Sequence, residues 1–334
     1  MFIDLISNYG LFLLKTITIV ISIVIVISVI VNSKKSTTTG SLEVQSINKD
    51  LDSLEEGIKK SILSKKEYKK FAKSKKKNSK KSNNKLFVID FKGNIKASEI
   101  ISLRREISGI LLSYNKGDEV LLRLENSGGT VHEHGLAASQ LKRIRDKNIP
   151  LTICVDKVAA SGGYMMACVA NKIVASPFAI IGSIGVIAQV PNFNRLLKNK
   201  GVDFEQQTAG DYKRTVTMFG KNTDKDRKKL KEQLEDIHIL FKDFIKKNRK
   251  NLDVDKVSTG EYWYGKDALD LKLIDKILTS DEYIISLKDS FQIIQIKYKP
   301  AKSISDKLSK LSSNLYSKFF QKIEQKNYDK NFFK

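Results

Sequence analysis

The sequence predicts an α/β protein, a mainly parallel sheet flanked by helices and preceded by an N-terminal transmembrane helix. Three observations carry this. From Leu86 onward, strand-length apolar runs alternate with amphipathic helical stretches, the pattern of a parallel sheet covered on both faces. A content of 41% hydrophobic residues with four prolines in 334 residues is that of an ordered chain long enough for a sizeable core. Leu11 to Val31 is an apolar run of 21 residues whose one charge is Lys15. As a helix it is long enough to span a hydrocarbon core, with Lys15 snorkelling at one end.

The run "LFLLKTITIVISIVIVISVIVN" exceeds a typical secretory signal core, and no small-x-small cleavage site follows it. Residues 1–33 therefore read as an uncleaved membrane anchor. Residues 34–85 read as a lysine-rich stalk, with sixteen lysines against six acidic residues, a net +10 of the chain's +23. Within it "LDSLEEGIKKSILSKKEYKKF" has apolar positions at helical spacing. Without aromatic interleaving or a nucleic-acid motif, this charge suits anionic lipid head groups better than nucleic acid. By the positive-inside rule it also favours a cytoplasmic location for the chain beyond the anchor.

The globular domain is expected over 86–290. "LFVIDF" (86–91) reads as a buried strand, "ASEIISLRREISGILLSY" (97–114) as an amphipathic helix and "EVLLRLE" (119–125) as a strand. A helix over 132–146 and strands over 150–156 and 172–176 come after these. Glycine-punctuated "IIGSIGVIAQV" (180–190) is next, then a long polar helix near 224–250. A lysine-rich helical tail over 291–334 ends the chain. Residues 167–190 are apolar enough to suggest a second membrane span, but Asn171, Lys172 and Pro177 interrupt them and the β-branched runs are strand-length. They read as buried core.

Three features have the spacing of a catalytic site. "ENSGGT" (125–130) places Gly128 and Gly129 directly after a strand, where backbone N–H groups can face a cleft without side-chain obstruction, as an oxyanion hole requires. "DKVAASGGYMMA" (156–167) sets Ser161 ahead of Gly162 and Gly163 at an expected helix N-terminus, where free N–H groups favour developing negative charge. Lys213, in "TAGDYKRT", lies 52 residues after that serine, in a loop expected to follow a strand "DFEQQT" (203–208). A serine hydroxyl needs a base within reach. A lysine serves as one only when an apolar wall or nearby cations disfavour its charge, and the stretch from Ala179 to Val190 is expected to supply such a wall.

"DKVAASGGYMMACVANKIVASPFAIIGSIGV" followed by "TAGDYKRT" resembles the S49 family of serine peptidases, the signal-peptide-peptidase-A-like group. The anchor, the stalk and "GLAASQLKRIRDKNIPLTICVDKVAASGGYMMA" resemble its SohB branch. The resemblance covers roughly residues 1–290. It implies a ClpP/crotonase-like fold and a Ser-Lys dyad, with Ser161 as nucleophile and Lys213 as general base. Ser183, in "GSIGV", matches the serine that orients the lysine, and Gly128 and Gly129 match the oxyanion-hole glycines. One departure is Ser127, where the family often has proline. The resemblance also implies an endopeptidase acting on membrane-derived or signal-peptide-like polypeptides, anchored in the bacterial inner membrane and assembled as a ring of like subunits. Relatives with an extracytoplasmic site stand against the cytoplasmic location favoured by the lysines, and both locations stay open. So does whether Lys213 serves its own Ser161 or a neighbour's.

Other readings of the same residues point elsewhere. A crotonase-type enzyme would handle acyl-CoA thioesters on the same fold, and a non-catalytic scaffold would bind membrane proteins without cutting them. His132 and His134, flanking Glu133, lack a third ligand at metal-site spacing and read as solvent-facing residues at a helix start. His238 reads as a surface residue of the long polar helix. Tyr164, Met165 and Met166 suit either a substrate groove or helix packing. The aromatics of "EYWYGKDALDLKLID" (261–275) suit a subunit or domain contact. Cys154 and Cys168 read as buried free thiols. No P-loop or dinucleotide fingerprint is present, so neither cofactor nor metal is expected.

Overall fold

The computed structural model describes residues 2–33, 40–78 and 82–300; of the segment expected as a helical tail over 291–334, residues 292–299 form a strand that pairs in the sheet instead, and residues from 301 on lie outside the described ones. The described residues fall into two compact units, one that holds the N-terminal helix and one formed by Leu42–Tyr298. In the first, α1 (Phe2–Ser33) runs for 32 residues. Three hydroxyls of its described stretch fold back on the helix. Thr16 Oγ1 donates to the Phe12 carbonyl at 2.9 Å, Thr18 Oγ1 to Leu14 at 2.8 Å and Ser22 Oγ to Thr18 at 2.9 Å, so these polar groups find partners within the helix. Side chains of α1 are described without a break only over 9–24. Among the described residues no helix is long and apolar enough to cross a membrane.

In the second unit the lysine-rich segment supplies β1 (Ser41–Ser46), α2 (Ile47–Ile62) and α3 (Lys65–Asn78). Then come β2 (Lys85–Gly93), α4 (Ile100–Ser113), β3 (Glu119–Asn126), α5 (Val131–Asp146), β4 (Leu151–Val155), β5 (Val158–Ala160) and α6 (Gly162–Ala167). Next are β6 (Lys172–Ala175), β7 (Ile180–Gly182), α7 (Asn194–Asn199), α8 (Asp224–Asn248) and α9 (Val254–Val257). The unit closes with β8 (Tyr262–Tyr264), α10 (Gly265–Asp270), β9 (Lys276–Ile277), α11 (Ser280–Leu287) and β10 (Gln292–Lys299).

The main sheet has the order β1-β10-β2-β3-β4-β6-β9. The pairs from β10 to β9 are all parallel. Parallel strands need both faces covered, and β2 shows how the sequence meets this. Phe87, Ile89 and Phe91 point into the larger core, shared with α4, α5 and α6, while Leu86 and Val88 point into a smaller one beneath α2 and α11. Consecutive residues thus serve opposite faces, which is why the strand reads as one continuous apolar run. A shorter arm carries the site: β5 pairs with β3 and β7, and β7 pairs antiparallel with β8.

Two expectations about the polypeptide path need correction. Residues 167–190 contribute β6 and β7, and their inward-facing residues end at Ile184; Phe178, between the two strands, is 84% exposed and Ile187 is 76% exposed. Beyond β7 the chain leaves the sheet on a long excursion, so no buried wall reaches Val190. Residues 203–208 form no strand and are exposed, because they have no apolar face to bury and no ladder partner. Tyr164 and Met166 are fully buried and Met165 nearly so, which assigns that trio to packing. Trp263 packs on the core while Tyr262 and Tyr264 stay exposed. Cys154 and Cys168 are buried and free. Burial pushes the Cys154 thiol up to about 12 and raises that of Cys168 as well.

Candidate active site

Strand β5 is wedged between the end of β3 and β7, Asn126 pairing with Ala159 and Gly182 with Ala160. At Ser161 the backbone swings to φ 52°, ψ −118°, and α6 begins at the next residue. Non-glycine residues rarely adopt this conformation, which costs about 1–3 kcal/mol. Two backbone hydrogen bonds hold it. The Ser161 N–H donates to the Gly182 carbonyl at 2.8 Å, and its carbonyl accepts from the Met165 N–H at 3.0 Å. The side chain caps nothing, which leaves the hydroxyl for other work.

Above the serine lies the turn after β3. Gly128 has φ 92°, and a side chain there would meet Ser161 Cβ at 2.7 Å and Gly162 N at 3.0 Å. Only glycine lets this turn lie so close. The Gly128 N–H donates to Asn126 Oδ1 at 2.6 Å, and the Thr130 N–H donates to the Ile95 carbonyl at 3.0 Å. These bonds hold the turn although an exposed Ser127 stands where proline was expected. Sequence reasoning missed Asn126. It is 1% exposed, and its Nδ2 is buried without a partner among the described residues, which costs about 1–3 kcal/mol.

His134 corrects an expectation: it is fully buried, not solvent-facing. Its Nε2 lies 3.1 Å from Asn126 Oδ1 and its Nδ1 lies 2.9 Å from the Thr130 carbonyl. A methyl group on Gly162 would run into its ring. His132 remains in solvent, its side chain 80% exposed. Among the described residues no cluster of His, Cys, Asp and Glu is arranged to hold a metal ion. His238 is half-buried, with its Nε2 enclosed and unpartnered.

Ser183 follows Gly182 directly, so the β5–β7 pairing brings it beside Ser161; its φ is 49° and its N–H donates to the Glu261 carbonyl at 2.6 Å. Lys213 is different. It is exposed in the excursion between β7 and α8, and its Nζ makes no hydrogen bond or ion pair among the described residues. That excursion is tied internally. Phe219 packs against Phe193 and Phe204 with centroids 6.1 and 5.7 Å apart, and Asn192 Nδ2 donates to the Thr217 and Gly220 carbonyls. Tyr212 lies under Lys229 of α8, 4.9 Å from Nζ to ring centroid. The single chain thus sets Gly128 against Ser161 and Ser183 next to the paired ends of β5 and β7, while Lys213 makes no side-chain hydrogen bond to any of them among the described residues. A cavity of about 1220 Å³ between β1, α2, α3 and α11 includes none of these residues.

Comparison with known proteins fits a peptide-cutting site. Residues 4–141 match the model of the peptidase family S49 N-terminal region, and residues 143–293 that of peptidase family S49. The chain is 45% identical over 329 residues to "Probable protease SohB" of Haemophilus influenzae, covering 92% of this chain and 93% of that one. The chain belongs to peptidase family S49. It is a serine-type endopeptidase, and relatives of the SohB branch cover most of its length. A namesake from Buchnera aphidicola of Acyrthosiphon pisum is 58% identical over 233 residues, 70% of this S49 chain and 68% of that one. Among solved structures, a mutant of the 1510-N membrane-bound stomatin-specific protease with a substrate peptide aligns with a TM-score of 0.44 and 15% identity. It covers 69% of this chain and 98% of that one. A Listeria monocytogenes ClpP1 mutant aligns at 0.37 and 12%, covering 60% and 92%.

Proposed function

We propose that the protein is a membrane-anchored endopeptidase that cuts membrane-derived or signal-peptide-like polypeptides by acyl transfer through a Ser-Lys dyad. The observation that carries this is the strained Ser161 backbone beneath the Gly128–Gly129 turn. Ser161 Oγ attacks the scissile carbonyl and Lys213, neutral when it acts, takes the proton and returns it to the leaving amine. Water then releases the acyl group by the same route in reverse. Ser183 orients the lysine. Backbone N–H groups of the Gly128–Gly129 turn serve the oxyanion. Since that of Gly128 is engaged by Asn126, Gly129 offers the free one of the pair.

The exposed position of Lys213 supports a dyad completed between subunits of a ring, where the neighbouring copy would bury the lysine. Residues 1–33 act as the anchor in the bacterial inner membrane, and 34–85 as a basic segment whose β1 and α2 pack onto the peptidase domain, 86–290, to whose sheet β10 adds residues 292–299. The 21-residue apolar run and the internally bonded hydroxyls of α1 support the anchor.

The test is cleavage of a fluorogenic apolar peptide by wild type, Ser161→Ala and Lys213→Ala. Loss in both variants, with activity returning when the two inactive proteins are mixed, is expected. Wild-type activity in Lys213→Ala would refute the dyad. A chain that cuts no peptide and binds CoA would be a crotonase-type enzyme, and one that does neither a scaffold.

A further inference from the structure

We propose that Asn126 and His134 are positioning residues that hold the oxyanion turn, an inference that rests on reading Ser161 as the nucleophile. The orientation of the Asn126 amide is fixed by its neighbours. The Gly128 N–H can only donate, so the atom 2.6 Å away is the carbonyl oxygen Oδ1. His134 Nε2 lies 3.1 Å from that same oxygen and therefore carries a proton. Its Nδ1 lies 2.9 Å from the Thr130 carbonyl, which ties the same ring to the start of α5. The ring also lies against Gly162, the residue after the nucleophile. One buried side chain thus touches both halves of the site.

The choice of asparagine points to catalysis rather than packing. Aspartate would accept both hydrogen bonds and leave no donor stranded. Asparagine strands Nδ2 against Gly93, without a partner. What it gains is neutrality: the acceptor that orients the turn carries no net charge beside the place where the oxyanion develops.

Asn126→Asp separates the two roles. The expected result is a melting midpoint equal to wild type or higher, with kcat at least about tenfold lower and KM little changed. His134→Leu removes the donor to Asn126. It is expected to lower kcat and speed hydrogen–deuterium exchange over residues 126–131, and His134→Gln, whose amide N–H reaches toward the Nε2 position, is expected to restore both. Wild-type kcat in Asn126→Asp overturns the proposal, as does wild-type kcat and exchange in His134→Leu. Should Asn126→Asp not fold, the His134 pair decides alone. Ser161→Ala is the control: if it still cuts peptide, the nucleophile reading fails, while exchange over 126–131 still shows whether His134 holds the turn.

Discussion

Replacing Ser161 by glycine and by alanine removes the same hydroxyl but treats the backbone differently. At φ 52°, ψ −118° alanine keeps the strain of about 1–3 kcal/mol and glycine releases it. Glycine surrenders about 0.5–1 kcal/mol of this through the greater freedom of its unfolded chain. Ser161→Gly should therefore be more stable than Ser161→Ala by about 1 kcal/mol, a rise of roughly 2–4 °C in melting midpoint for a domain of this size. Differential scanning calorimetry of the two variants under one condition measures it. Both should be inactive on peptide. An alanine variant as stable as the glycine variant, or more so, would show that Ser161 stores no strain. Activity in either would remove Ser161 as nucleophile.

Other expectations concern the scaffold. Gly163→Ala would drive a methyl group into the Asn126 backbone carbonyl; about 1–3 kcal/mol of lost stability is expected in denaturant titration. The Arg249 guanidinium holds the Asp275 carboxylate at 2.9 and 2.8 Å and is largely buried, so Arg249→Met should lower stability by about 3 kcal/mol. Burial pushes the Glu106 carboxyl up to about 7, against the opposing pull of the Tyr298 N–H it accepts at 2.8 Å. Its folded form keeps a proton that the unfolded chain releases near 4.5. This group's contribution is therefore complete below that value and lost as pH rises through about 7, by at most about 3 kcal/mol. Glu106→Gln should flatten that slope in melting curves taken between the two values.

The fold was legible wherever one segment could reveal its own period. Residues 86–91 and 119–125 announce strands because both their faces are covered, and Ala137, Leu141 and Ile144 mark the buried stripe of α5. That stripe also held the missed signal. His134 sits one turn before Ala137 and Ala138 on the same face, and its place in the helical period outweighs the polarity of its ring. Asn126 gave no comparable cue, since a polar residue at a strand end is ordinarily solvated. The misread strand over 203–208 carries one apolar residue, Phe204, and has no neighbouring edge to pair with; pairing is a property of the whole chain. Lys213 shows the same limit: its number in the sequence says nothing about what covers it, and a single subunit leaves it in water.

The buried cysteines have a practical consequence. Cys154 and Cys168 are both enclosed and held in the unreactive thiol form at neutral pH. A cysteine introduced on the exposed excursion would be the site that maleimide reagents find first, with no need to strip the native pair. A fluorophore placed there would follow the Lys213 segment during assembly and turnover, in the otherwise unaltered enzyme.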